Sequence, residues 1–569
     1  MTAVLARRET AASVALTREL RLLRETTLGI TRWHLCILRE KKKLTPRADL
    51  HRGKMLLSVK NYLKGPYTLA DGPEIREPVP HKWLPGETID LTTRTVVSKI
   101  PHRHIIGIVD FMNRTGMGFT PRGVPLYLCH PLDPKYPPMI VSSKLHPIAN
   151  QIVSVSIEHW EEKWPRAGIQ RILGNVGDSA VEKEALLLRA SIPLPVDNTE
   201  WIANVRYHEE ISWDAVFNID PDGCEDVDDV ICWRKKENGY EMAIAIADVA
   251  SWVAEDSAVD KYAEKAGQTL YNNGKVVAPM LPTSLSTRFA SLRDDGIARP
   301  ALAYCFTVEC GEVVSHTWRR LLIRVGRSYT YESVLSDDAV SLILPRLLRA
   351  LTGLDVGEDP HYWIEVAMIA YNRAAAALLR EADVGILRAH EGRSNSEYSA
   401  LAESSGCREL AFLGSSAGKY VKGDAVVCAH AGLGLDVYCH ASSPLRRYAD
   451  LVAQRWLHHL VFGVAKPVTC SSPTHLNERG AVSKAYERDM WFLEHLQMLT
   501  VSTVQGIVLK DTDEKVVVYV PEWRRKIRGV RAEGVTELAL GAKVTVRAFT
   551  DLRRCTWSDR VVCSVEYHP

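Results

Sequence analysis

The sequence has no long apolar run, little net charge and no closely spaced pair of cysteines. No apolar run approaches the roughly 20 residues of a membrane span, so we expect no membrane association. Because the net charge is only +2, affinity for nucleic acid must come from local patches rather than from the whole surface. The 12 cysteines include no Cys-x-x-Cys pair, which argues against a zinc site and for reduced thiols inside a cell.

The composition is that of an ordinary globular protein, with 46% hydrophobic and 25% charged residues. A chain of 569 residues is too long for one hydrophobic core, so we expect about two to four domains.

The chemistry of the chain is concentrated in an acidic run at 217–229, FNIDPDGCEDVDD, which contains six acidic side chains. Like charges at this density need a partner, and a pair of divalent cations is the best candidate. Magnesium prefers hard oxygen ligands and keeps several waters, so a few carboxylates and substrate phosphates suffice, and two such ions can hold an in-line phosphoryl displacement. The predicted ligands are Asp220, Asp226, Asp228 and Asp229.

Local backbone geometry decides whether these carboxylates can meet. Asp228 and Asp229 are adjacent, so in a regular strand they would point to opposite faces. Both reach one site only if the chain turns, and the Pro-Asp-Gly sequence at 221–223 supplies such a turn.

Two simpler interpretations compete with a metal site. An acidic run in a loop is usually a solvated turn. A calcium loop of the EF-hand type needs Gly at its sixth position and Glu at its twelfth, whereas here Gly223 is fourth from Asp220 and the twelfth residue is Ile231. The flanking runs 215–219 and 242–249 predict buried strands, and charges between buried strands are usually paired or metal-bound.

A second candidate segment is SSPLRRYADLV at 442–452. Pro444 suits the turn before a helix, and two arginines follow where backbone amides favour anions. The planar fork of Arg446 can hold two phosphate oxygens. The alternative is an ordinary Arg446–Asp450 pair on a solvated helix.

Four segments together resemble the catalytic (RNB) domain of the ribonuclease II family. They are IDPDGCEDVDD at 219–229, AIADVASWV at 245–253, PMLPTSLS at 279–286 and SSPLRRYADLV, and they occur in the family's order over about 250 residues. The family contains RNase II, RNase R and exosome-associated and organellar 3′-to-5′ exoribonucleases.

The resemblance implies a magnesium-dependent hydrolytic exoribonuclease that degrades single-stranded RNA from its 3′ end to nucleoside 5′-monophosphates, with manganese as a substitute ion. It implies that Asp220, Asp226 and Asp229 mainly ligate metal, that Asp228 positions or activates water and that Arg446 is catalytic. Arg447 and Tyr271 are implied RNA contacts, Tyr271 as an aromatic near the RNA 3′ end. The alternative is a catalytically weak RNB-fold subunit that binds RNA within a larger RNA-processing complex.

The predicted fold is α+β and multidomain, with an RNB catalytic domain flanked by small OB-fold barrels. Short β-type runs broken by Gly, Pro and Asn predict both barrels. The predicted parts are an N-terminal helical and basic segment at 1–69, a linker at 70–92, an OB-like cold-shock-type domain at 93–194, the RNB domain at 195–465, a helical connection at 466–500 and a C-terminal OB-like RNA-binding domain at 501–569.

The C-terminal domain carries an aromatic residue among cations, a composition typical of a nucleic-acid surface. A basic hairpin loop that is merely solvated is the alternative. The predicted RNA contacts there are Trp523, Arg524, Arg525, Lys526 and Arg528.

The N-terminal segment has a helical pattern over 11–40 and the Arg, Ser and Thr content of an organellar transit peptide. Its acidic residues Glu9, Glu19 and Glu25 argue against targeting. We therefore expect the protein in a reducing intracellular compartment, with the cytoplasm favoured over an organelle. The expected partners are single-stranded RNA and unidentified RNA-processing proteins.

Overall fold

The computed structural model describes residues 54–567, with gaps at 60, 66, 70–73, 76–81, 91–92, 94, 100, 103, 114–116, 192–203, 205–207, 393–395, 414–415, 469–471, 497–500 and 536. The helix predicted over 11–40 lies outside the described residues. None of the helices within the described ranges has the length and apolarity needed to cross a membrane.

The described chain begins with a small five-stranded sheet in the order β3-β2-β1-β4-β5. Its strands are β1 (Lys54–Val59), β2 (Tyr67–Leu69), β3 (Glu74–Ile75), β4 (Thr88–Asp90) and β5 (Thr95–Ser98). The structure differs here from the predicted linker at 70–92 and helical segment at 1–69, which contain four of these strands. Trp83 and Ile89 are buried against this sheet, where β4 pairs with β1. The Pro and Gly residues of this region separate short strands and do not form a linker.

The first closed barrel has the order β10-β8-β7-β6-β9. Its strands are β6 (Ile105–Val109), β7 (Leu126–Pro131), β8 (Met139–Ser142), β9 (Gln151–His159) and β10 (Arg166–Asn175). The parallel pair β8–β10 and the antiparallel pair β6–β9 close it, which is the five-stranded Greek-key arrangement of an OB-fold. Helix α1 (Ser179–Arg189) follows, and the Asp178 side chain caps its N-terminus.

The central part of the chain is built on a six-stranded sheet in the order β17-β16-β13-β12-β11-β18. Its strands are β11 (Ala215–Ile219), β12 (Asp229–Lys236), β13 (Gly239–Ala247), β16 (Arg299–Glu309), β17 (Glu312–Ile323) and β18 (Arg327–Tyr329). Strand β13 is buried continuously from Met242 to Ala247, since helices cover the sheet and leave no polar face along it. Two separate two-stranded antiparallel sheets accompany it: the hairpin of β14 (Leu270–Asn272) with β15 (Lys275–Ala278), and the long-range pair of β19 (Ile386–Ala389) with β20 (Lys419–Lys422).

Helices around this sheet complete one large hydrophobic core. They are α2 (Ala258–Ala266), α3 (Asp338–Thr352), α4 (Pro360–Glu381) and, further along the chain, α7 (Tyr448–Phe462). The short helices α5 (Ser396–Ser405) and α6 (Glu409–Leu413) instead form a separate apolar cluster with Ile507 and Tyr519. Helix α4 starts where Pro360 follows Asp359, whose carboxylate accepts the backbone N–H of His361, and it packs on α7 and β13. The long helix α8 (Pro473–His495) then leads to the end of the chain.

A second closed barrel follows α8, with the order β21-β22-β23-β25-β24. It consists of β21 (Ser502–Asp511), β22 (Val516–Val520), β23 (Arg525–Arg531), β24 (Lys543–Thr550), helix α9 (Trp557–Arg560) and β25 (Val561–Glu566). The parallel pair β23–β25 gives it the connectivity of the first barrel. The predicted α+β architecture with flanking OB-like barrels is confirmed.

Candidate functional site

The acidic run forms the turn between two strands of the central sheet. Asp220 follows β11 and Asp229 begins β12, while Gly223 has a positive φ of 75° that favours glycine at this bend. Ser291 fixes the turn, since its hydroxyl donates to the Glu225 carbonyl at 2.7 Å and accepts the Val227 N–H at 2.9 Å. The turn lines a cavity of about 1070 Å³, and all four predicted aspartates reach its wall.

Arg446 lies opposite the turn in the same cavity. Its Nε donates to the Asp228 Oδ2 at 3.2 Å, and the neighbouring Leu445 N–H donates to the Asp228 Oδ1 at 2.9 Å. The backbone around Arg446 is tied to residues 267–269, because the Thr269 N–H donates to the Arg446 carbonyl at 2.9 Å. The two segments that the sequence singled out, far apart in the chain, therefore meet at Asp228.

The carboxylates are held in an environment that disfavours their charge. Burial raises the pKa of Asp228 to about 7, although the Arg446 charge acts to lower it. Burial, followed by the charges of Asp220 and Asp228, raises the pKa of Asp229 well above its usual range. Burial also raises the pKa of Asp220 despite the hydrogen bond from the Asn218 amide at 2.7 Å. A cation among these groups would favour the ionised forms.

The donor set fits a hard divalent ion that is only partly coordinated by protein. All the candidate ligands are carboxylate oxygens, which magnesium and manganese prefer. Within the described ranges, no three of these aspartates bring ligand oxygens within 4.8 Å of one another. The protein alone does not close a coordination shell, so water and phosphate oxygens would complete it, as magnesium commonly requires.

Aromatic side chains form part of the cavity wall. The Tyr271 hydroxyl donates to the Asp226 Oδ2 at 3.1 Å, which places the ring beside the acidic turn. Tyr331, which the sequence analysis missed, also lines the cavity and stacks on His361 with ring centroids 3.7 Å apart. The role of Tyr271 as an RNA contact remains a prediction.

Arg447 does not have the position predicted for an RNA contact. Its guanidinium donates to both oxygens of the buried Asp450, at 2.9 and 2.8 Å, and it does not line the cavity. The ion pair that the simpler interpretation placed at Arg446–Asp450 is thus made by Arg447, because the helix begins at Tyr448 and Arg447 precedes its first turn.

The prediction that Trp523 offers a surface for RNA is wrong. Its side chain is 0% exposed and packs edge-on against Phe492 in the core of the C-terminal barrel. The pattern of an aromatic among cations predicts one surface, but Trp523 lies in the turn before β23, and its ring points from this turn into the barrel core.

The four cations after Trp523 have different environments. Arg524 lines the cavity and lies 3.6 Å from the centre of the Trp491 ring. Arg525 is half-buried in an ion pair with Asp489. Lys526 donates to the Tyr398 hydroxyl at 2.7 Å, and Arg528 is exposed on β23. Of the predicted contacts in this segment, only Arg524 reaches the cavity that holds the aspartates.

Helix α8 supplies functional candidates that the sequence analysis missed. Lys484, Arg488 and Trp491 line the cavity, while Tyr486, Met490 and Leu493 on the other face are buried. Their spacing of four and three residues is that of one helix face. That periodicity was present in the sequence and would have identified the stripe.

Comparisons with known proteins agree with this geometry. The family model described as "RNB domain" matches residues 209–337 and 356–463, and the model described as "Dis3-like cold-shock domain 2" matches residues 126–191. The probable exosome complex exonuclease RRP44 of Caenorhabditis elegans is 23% identical over 492 residues, covering 68% of this chain and 51% of that protein. The chain spans about half the length of the curated relatives it matches.

Two solved structures share the fold. The apo form of Mycoplasma genitalium RNase R aligns with a TM-score of 0.65 at 16% identity, covering 90% of this chain and 100% of that one. Yeast Ssd1, described as a pseudonuclease, aligns with a TM-score of 0.56 at 15% identity, covering 82% of this chain and 69% of that one.

Proposed function

From the premise that the chain belongs to the ribonuclease II (RNB) family, we propose that it is a hydrolytic 3′-to-5′ exoribonuclease acting on single-stranded RNA. The observation that carries the proposal is the cavity in which four aspartates face Arg446. Carboxylates that need a cation, opposite an arginine that can hold phosphate, are the elements of metal-assisted phosphodiester hydrolysis.

In the proposed mechanism Asp220, Asp226 and Asp229 hold the metal. These residues would hold a magnesium ion, which would supply a more acidic water and offset charge on the phosphate. Asp228 uses its two oxygens to orient Arg446 and the Leu445 N–H, and each oxygen keeps a lone pair that can position the attacking water. Arg446 stabilises the charge that develops on the scissile phosphate. The products are nucleoside 5′-monophosphates.

The RNA path is proposed to run along one wall of the cavity. Lys484 and Arg488 on α8, with Arg524 from the C-terminal barrel, outnumber Glu487 on this wall and make it positive. Tyr271 lines the same cavity, and its hydroxyl donates to Asp226, so a terminal base that enters the cavity is proposed to stack on its ring. By analogy with the exosome relatives, we also propose that partner proteins bind the rest of the surface.

The second candidate function is RNA binding without turnover. The fold shared with the pseudonuclease Ssd1 favours it, whereas the presence of all four aspartates and Arg446 in one cavity favours an enzyme. A nuclease acting on DNA is a further alternative, and matched RNA and DNA oligonucleotides separate it, since the 2′-hydroxyl distinguishes the sugars.

The test is incubation of the purified chain and magnesium with RNA labelled at its 5′ end, single-stranded or with a 3′ tail on a duplex. We expect a ladder that shortens from the 3′ end to a small 5′-labelled fragment, with 5′-monophosphates released. A single internal cut would overturn exonuclease action, and binding without any cleavage would favour the subunit interpretation.

A further inference from the structure

A second cluster of ligand-type side chains lies away from the cavity, between the two OB-like barrels. In the part of the chain that the structure describes, Asp110, His130 and Cys555 bring a carboxylate oxygen, a ring nitrogen and a sulfur within 4.8 Å of one another. We propose that these three residues form a zinc site that links the first barrel to the C-terminal barrel.

Both barrels hold their part of the cluster in place. Asp110 directly follows β6, and its N–H donates to the Leu128 carbonyl at 3.0 Å. His130 lies on the neighbouring strand β7, opposite Ile108. Asp110 and His130 thus lie side by side on neighbouring strands of the first barrel.

The third ligand arrives from the turn between β24 and α9. The Asn150 amide of the first barrel donates to the Arg553 carbonyl at 2.8 Å and approaches the Cys555 sulfur at 3.5 Å. Asn150 is itself 0% exposed. Because this buried amide fixes the turn against the first barrel, the position of the thiol is set by packing and not by an exposed loop.

The donor set matches zinc better than magnesium. Zinc binds sulfur, imidazole and carboxylate together, and its bond lengths put ligand atoms roughly 3.3–3.8 Å apart in a tetrahedron. Because the three ligand atoms already lie within 4.8 Å of one another, a small inward movement of the side chains is enough to reach these separations. A hard magnesium ion would not select a thiol.

An adjoining cavity provides the fourth coordination position. A pocket of about 320 Å³ is lined by His130, Cys555 and Thr556, so a zinc ion held by three protein ligands has room for a water. The pocket is also a route by which the ion can enter. Three protein ligands with water in the fourth position is a coordination that zinc adopts in proteins.

Cobalt is the probe of choice, since a thiolate bound to Co²⁺ gives a near-ultraviolet charge-transfer band that carboxylate sites lack. The full chain is stripped with chelator, desalted and titrated with Co²⁺. We expect a band that saturates at one Co²⁺ per chain, is displaced by Zn²⁺ and persists in excess Mg²⁺. Cys555→Ser and His130→Ala should abolish it.

The matched control is Cys224→Ala, which removes the thiol beside the acidic turn, 3.9 Å from the Asp226 Oδ1, and should leave the band unchanged. Asp110→Asn preserves shape and should weaken Co²⁺ binding at least about tenfold, which keeps the proposal testable if Cys555→Ser fails to fold. A folded wild-type chain without the band, or a band lost in Cys224→Ala and kept in Cys555→Ser, overturns the proposal.

Discussion

The acidic turn at 220–229 and the basic segment at 523–528 are similarly dense in charge, but the fold uses them differently. In the acidic turn the four predicted aspartates converge on one cavity. In the basic segment Trp523 fills a core, Arg525 pairs with Asp489, and only Arg524 reaches the cavity. The acidic residues share one bend and face one cavity, whereas the basic segment passes from the turn at Trp523 and Arg524 into β23, where successive side chains point to opposite faces.

The largest expected effect comes from removing metal at the acidic turn. We expect excess chelator to abolish hydrolysis completely and magnesium or manganese to restore it, because every candidate ligand is a carboxylate. Activity is measured by release of mononucleotides. The Cys555→Ser variant is treated in parallel, so that loss of zinc between the barrels is not mistaken for loss of the catalytic ion. Full activity in excess chelator would contradict the metal assignment.

Two adjacent arginines provide the next comparison. Arg446→Ala should lower turnover at least about a hundredfold, the scale of losing an electrostatic group at the reacting phosphate. It should destabilise the fold less than Arg447→Ala does, because Asp228, whose pKa is already raised to about 7, can take up a proton when its partner is lost. Arg447→Ala should instead destabilise the fold by about 3 kcal/mol, because it leaves the Asp450 carboxylate buried without its partner. Turnover and urea unfolding are measured on both variants. If both variants lose activity equally at normal stability, the two arginines do not have the different roles assigned to them.

The third prediction concerns stability and pH in the metal-free protein. Burial raises the pKa of Asp228 to about 7 in the folded chain, against about 3.9 when unfolded. Between these values the folded state binds a proton that the unfolded state lacks, so stability falls as the pH rises from about 4 to about 7. Asp228→Asn should make that fall smaller. The measurement is the urea midpoint of wild type and variant at pH 5 and pH 8 in the presence of chelator. If the midpoint changes equally with pH in both proteins, the burial of this carboxylate is contradicted.

The smallest effect is expected in the basic segment. Arg524→Ala should weaken RNA binding by about tenfold and lower the salt slope by about one unit, as the loss of one phosphate contact does. Lys526→Ala is the matched control, because its ammonium group is already used by Tyr398 and does not line the cavity. Affinities are measured at several salt concentrations. Equal effects of the two substitutions would mean that the segment binds RNA as one surface.

Point substitutions are better suited to this question than deletion of the C-terminal barrel. Arg560 of that barrel forms an ion pair with Glu182 of α1 at 2.6 Å, and both side chains are 0% exposed. Deleting the barrel would remove this ion pair and expose the apolar residues that Leu552 and Cys555 cover, and the resulting instability would obscure any effect on RNA binding.

The parts of the site that depend on residues close together in the sequence could be predicted. The run around Asp228 and the segment around Arg446 each have a local pattern, and the alternation of strands with turn residues predicted both barrels. Which side chains would be buried by distant parts of the chain could not be predicted in this way. Trp523 and Arg447 are residue types typical of RNA contacts, but Trp523 packs on Phe492 and Arg447 pairs with Asp450. The cluster of Asp110 with Cys555 has no local signature, since its members come from opposite parts of the chain.

The most direct test of the central claim compares the wild-type chain with Asp228→Asn for both binding and single-turnover cleavage of one RNA. We predict that the variant folds and binds RNA nearly as well as the wild type, while its cleavage rate falls by at least about a hundredfold. If the folded variant cleaves at a near-normal rate, Asp228 is not part of the reaction and the proposed mechanism is wrong. If neither protein cleaves while both bind, the chain is an RNA-binding subunit.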